Sequence, residues 1–192
     1  DQAYVKLDKN GMIDKNLINS HTSKSGNFNS LKALVNDKRT TEVTVGNEYK
    51  YKDKDGSIKT GKVGVTYSNE LKEAEKLMPG YTKEQLKGMG FEDKVKGSGT
   101  FGITLIPGGE KDVKGDGRGS ANGNVVVILS SDLTERDAAR TQAHEGNGHA
   151  LFFLQGKDPN HHEGNKALED QITKSVNEAE QNSDDTHKNT GN

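Results

Sequence analysis

His144, Glu145 and His149 stand together in the segment Ala143-His-Glu-Gly-Asn-Gly-His-Ala150. These are the residue types that hold a divalent metal and use it. Hydrolysing an amide at neutral pH needs a water of lowered pKa, which zinc provides when three protein ligands leave a fourth position open. The usual helical arrangement places two histidines at i and i+4, about 40° apart on one face, with a glutamate beside the first as general base. Here the histidines are i and i+5, about 140° apart on a regular α-helix, too far round to share one ion. The spacing therefore predicts an extra residue absorbed as a π-type bulge or a distorted turn. Gly146 and Gly148 lie between the histidines and tolerate such backbone. Each costs a helix interior roughly 1 kcal/mol relative to Ala, which is odd for a helix with only a structural role.

A helix must carry these residues and a sheet must support it. Asp132-Leu-Thr-Glu135 has the form of a capping box, and the helical pattern runs on to Leu154 before Gly156 and Asp158-Pro159 stop it. Directly upstream, Asn124-Val-Val-Val-Ile-Leu-Ser130 is the most apolar strand of the chain and belongs inside a sheet. Residues 100–106 form a second strand. Residues 42–46, 48–51 and 62–67 alternate in β fashion, with Asp55-Gly56 as a hairpin signal. Shorter helices are predicted over residues 29–35 and 70–78. A second long helix is predicted over residues 165–182, with Leu168, Ile172, Val176 and Ala179 on one stripe. The polar, Gly-rich residues 110–124 read as a loop. Residues 1–39 read as an irregular N-terminal extension apart from the short helix, and residues 183–192 as a disordered tail.

The order of His144, Glu145, Gly148 and His149 resembles the His-Glu-x-x-Gly-His signature of the dipeptidyl peptidase III family, zinc peptidases with this extra residue. From the apolar strand to Gly156-Lys-Asp-Pro-Asn-His-His162, the neighbourhood also looks like the small zincin domains that end bacterial Rhs-type polymorphic toxins. The resemblance implies that His144 and His149 bind Zn2+ and that Glu145 activates the water. It further implies a peptide or protein substrate and a secreted or delivered bacterial effector, with a cognate immunity protein as partner if the chain is a toxin. By the gluzincin pattern the third ligand is Glu169, 20 residues after His149 and bordering the apolar stripe of its helix. Asp170 beside it would orient a ligand histidine. Glu178, Glu180, His161 and His162 are rivals for the same position.

Composition sets the outer bounds. Hydrophobic residues make up 29% of the 192, so the core is small, and the length suits a single domain over residues 1–182. Without cysteine, any metal is held by imidazole and carboxylate. A net charge of −2 with both signs interspersed gives no basic face for nucleic acid. The apolar runs are too short for a membrane span. The strands and helices above predict an α+β fold, in which a twisted, mainly antiparallel sheet packs on a long active-site helix, and the resemblance implies that this fold is zincin-like. Two other functions fit the same residues: a catalytically inactive zinc-binding module, and a metal-free secreted binding module.

Overall fold

The computed structural model describes residues 15–20, 25–97, 99–108, 119–159 and 166–190. Its centre is the strand Val125–Ser130, buried along its whole length. Side chains alternate across a strand, so one apolar run can serve two cores. Val125, Val127 and Leu129 face a helical core with Phe28, Leu31 and Leu34, while Val126 and Ile128 face a second cluster with Tyr49, Val63 and Leu105.

Numbered in chain order, the strands are β1 (Thr40–Gly46), β2 (Glu48–Lys52), β3 (Ile58–Lys62), β4 (Gly102–Leu105), β5 (Gly119–Ser120) and β6 (Val125–Ser130). The main sheet has the order β1-β6-β4, with β1 parallel and β4 antiparallel to β6. It is therefore mixed, where the sequence led us to expect mainly antiparallel pairing. After β1 the chain builds a separate hairpin layer before returning along β6 in the same direction, and such an excursion permits parallel pairing. That layer is the antiparallel sheet β3-β2-β5, whose β2–β3 turn carries Gly56 at φ +83°. The fold is α+β.

The helices are α1 (Lys15–Ser20), α2 (Gly26–Asn36), α3 (Glu70–Leu77), α4 (Lys83–Gly88), α5 (Glu135–Gln142), α6 (Leu151–Leu154) and α7 (Lys166–Thr190). Between α5 and α6 lies a π-helix, Ala143–Ala150. Ile18 of α1 and Phe28, Leu31, Leu34 and Val35 of α2 are fully buried. These two helices are thus part of the main core, where only one short helix in an irregular stretch was expected. Helices α3 and α4 close a smaller cluster of Leu71, Ala74 and Leu86. The long helix starts later than its capping-box pattern suggests. The amide N–H of Asp132 donates to Ser130 Oγ at 3.1 Å, and Thr134 Oγ1 instead accepts from Asp137 N at 3.3 Å as the cap. Asp132 is taken up in the strand-to-helix turn. Gly156, at φ +73°, ends the helix. Helix α7 continues through Thr190, past the point at which the sequence predicts a tail.

Candidate metal centre

The π-helix spans the whole motif. Its i→i+5 hydrogen bonding brings residues five apart back to one face, whereas a regular α-helix would leave His144 and His149 about 140° apart. His144 Nε2 and His149 Nε2 approach to 3.3 Å, with the rings at 70° and their centroids 5.0 Å apart. Two nitrogens at zinc-ligand distances of about 2.0–2.1 Å, in tetrahedral array, stand about 3.3–3.4 Å from each other. The observed separation fits a shared ion.

The tautomer fits as well. His149 is buried, and its Nδ1 donates to the carbonyl oxygen of Pro159 at 2.6 Å. That oxygen can only accept, so the proton of neutral His149 sits on Nδ1 and the Nε2 lone pair is turned towards His144. A backbone carbonyl on the far nitrogen is the usual means of orienting a ligand histidine.

Glu145 completes the group. A carboxylate oxygen of Glu145 and one ring nitrogen from each histidine all lie within 4.8 Å of one another. The Thr104 hydroxyl on β4 is 2.8 Å from Glu145 Oε2 and 2.9 Å from the Glu145 carbonyl oxygen, so its single proton serves both acceptors. The edge strand thereby fixes the glutamate at both its carboxylate and its backbone.

A cleft of about 400 Å³ opens beside the group, lined by Thr100, Phe101, Gly102, His144, Glu145 and Val176 among others. Asp137 and Arg140 border it, their charged ends 3.6 Å apart. The Tyr67 hydroxyl donates to Asp137 Oδ2 at 2.5 Å. Burial, and then the neighbouring Asp137 carboxylate, push the Tyr67 phenol above its ordinary range, so it stays protonated as a donor.

Among the described residues, the metal-capable group consists of His144, Glu145 and His149. Glu169 stands apart from it, exposed in the first turn of α7. By helical phase it shares a face with Val176, the α7 residue at the cleft, but seven residues place it about 10 Å further along the axis. Asp170 is exposed and pairs with Lys166 at 3.4 Å. Glu178 accepts from Asn27 N at 3.4 Å, at the junction with α2. Glu180 lies further along α7, and His161 and His162 fall outside the described residues.

The two glycines have a packing role that the motif alone does not reveal. A Cβ on Gly146 would stand 2.8 Å from Leu34 Cδ2 and 2.7 Å from Gln142 Nε2, and one on Gly148 would stand 3.1 Å from Ile172 Cγ1. They let α2 and α7 close against the π-helix, and neither adopts a positive φ.

Thr104, Tyr67 and the buried amides Asn27, Gln142 and Asn147 escape sequence reasoning. Only one signal could have exposed any of them: Gln142 and Asn147 repeat the five-residue spacing of the histidines. No protein-family model matches the chain, and no curated protein or solved structure is significantly similar to it.

Proposed function

We propose that this chain is a zinc-dependent peptidase in which His144 and His149 are two of the metal's protein ligands and Glu145 is the general base; no third ligand stands with them among the described residues. The observation that carries this reading is the 3.3 Å convergence of the two Nε2 atoms across a π-helix, with the Glu145 carboxylate beside them. Zinc held there would supply Lewis acidity, lowering the pKa of a water and polarising a scissile carbonyl. Glu145, oriented by Thr104, takes a proton from the attacking water as its oxygen bonds to the carbonyl carbon. It then delivers that proton to the amine nitrogen as the C–N bond breaks.

A peptide suits the cleft because β4 is an edge strand of the main sheet and Gly102 at its start lines the cleft, just past Thr100, whose backbone is already paired with Gly64. An extended substrate can pair with that edge by strand addition. Delivery as a secreted effector belongs to the same proposal and rests on the sequence resemblance alone.

The test is cleavage of a broad peptide library by zinc-loaded protein, with Glu145→Gln as the control. The expected result is zinc-dependent cleavage by the native chain, lost at least 100-fold in Glu145→Gln while zinc stays bound, since a positioned general base contributes about 10²–10⁴ in rate. Zinc-loaded native chain that cleaves nothing, or equal cleavage by Glu145→Gln, would overturn the assignment.

A further inference from the structure

A π-helix is a rare backbone, and something must hold this one against relaxing to an α-helix. The face opposite the histidines shows what does. Gln142, fully buried, donates from Nε2 to Asn147 Oδ1 at 3.1 Å. This is a side-chain bond between residues five apart, the same interval that separates His144 from His149. In an α-helical register the two amides would point about 140° apart, as the two imidazoles would. One change of register would therefore break both pairs.

The amide pair is anchored to the rest of the core. Asn147, 5% exposed, donates from Nδ2 to the carbonyl oxygen and Oδ1 of Asn27 on α2. Ser175 Oγ of α7 donates to the same Asn27 Oδ1 at 2.7 Å. The π-helix is thus tied by one buried amide to both helices that pack on it. Gly146 provides the room, since Gln142 Nε2 lies 2.7 Å from where a Cβ would stand. One feature speaks against a purely stabilising role: Gln142 Oε1 is buried without a hydrogen-bond partner among the described residues. A leucine at this position would leave no such atom.

We infer that Gln142 and Asn147 form a register clasp: a buried i→i+5 amide pair, anchored on Asn27, that holds the π-helix and so keeps His144 and His149 converged. They are positioning residues, since neither belongs to the metal-capable group. The inference rests on the metal reading for its consequence, but the register can be read without any metal.

The test uses the whole chain and three variants, Gln142→Met, Asn147→Leu and the double substitution. Two quantities are measured: Zn2+ affinity by competition with a chromophoric chelator, and the ring-to-ring nuclear Overhauser effect between His144 and His149 in metal-free protein. In the native chain this cross-peak is strong. In Gln142→Met and Asn147→Leu we expect retained cooperative unfolding, a lost or much weakened cross-peak and zinc binding about 10–100-fold weaker, the usual effect of removing a ligand's supporting partner. The double variant should lose no more than the worse single, because the two amides act as one unit. Should Asn147→Leu fail to fold, Gln142→Met decides, since it removes the five-residue rung and leaves the Asn27 anchor. Folded Gln142→Met with a native cross-peak and native zinc affinity would overturn the clasp. A native chain that shows the cross-peak but binds no zinc would overturn the metal reading and leave the clasp to be judged on the cross-peak.

Discussion

The main sheet presents two faces that differ sharply in how firmly they are covered. On one side, Val125, Val127 and Leu129 meet a helical core whose members Phe28, Leu31, Leu34 and Val35 are fully buried. On the other, Val126 and Ile128 meet a hairpin layer whose strand β3 is largely exposed, with Ile58 at 51%. The metal-capable group belongs to the first side. An unusual backbone persists only where its surroundings over-determine it, and the π-helix is enclosed by α2, α7 and β4, each contributing a close contact. The hairpin layer covers the sheet without specifying anything so demanding. The difference teaches that an uncommon backbone register needs dense packing on several sides, and that a shallow layer suffices to cover an apolar face.

Substitutions on the two sides should separate accordingly. The largest effect is expected from Leu34→Ala, which empties a fully buried position against Gly146 and should cost about 2–5 kcal/mol in urea unfolding. Ile58→Ala on the hairpin should stay within about 0.5 kcal/mol. Equal losses at the two positions would break the contrast. A smaller effect follows for glycines: Gly146→Ala forces a methyl against Leu34 and Gln142 and should cost about 1–3 kcal/mol. Gly80→Ala, with open space around it and no positive φ, should be neutral or stabilise by up to about 1 kcal/mol.

The smallest effect concerns pH. The Tyr67 phenol is raised in the folded protein, first by burial and then by Asp137, so the folded state holds its proton more tightly than the unfolded state does. That contribution is complete below the ordinary phenol value of about 10 and is lost as pH rises from there through the raised folded value. Thermal unfolding followed into the alkaline range should show a steeper fall for the native chain than for Tyr67→Phe. Parallel curves would show that the Tyr67–Asp137 contact contributes no pH-dependent stability.

How much of this was legible in the sequence depended on whether the signal was local. The bulge across His144–His149 was legible because helical angles alone contradict an i, i+5 metal pair. Strand β6 was legible from its unbroken apolar run, although only the fold shows that its alternate residues serve two cores. The parallel partner of β6 was not, because β1 lies far away in the chain and β-pattern does not name its neighbour. Glu169 illustrates a different limit. Periodicity gives the face of a helix but not its height, and α7 brings Val176 rather than Glu169 to the cleft. The Asn27–Asn147–Gln142 network was hidden for a third reason: in a chain with 29% charged residues, amides read as surface until packing shows them buried.

The central claim is that His144 and His149 share one metal ion. Its most direct test is elemental mass spectrometry on protein purified without an affinity tag, offered zinc and dialysed, comparing the native chain with His149→Ala. The account predicts about one zinc per native chain, by the shared-ligand geometry, and none retained in the variant. A native chain that retains no stoichiometric zinc, or a variant that retains as much as the native chain, would contradict it.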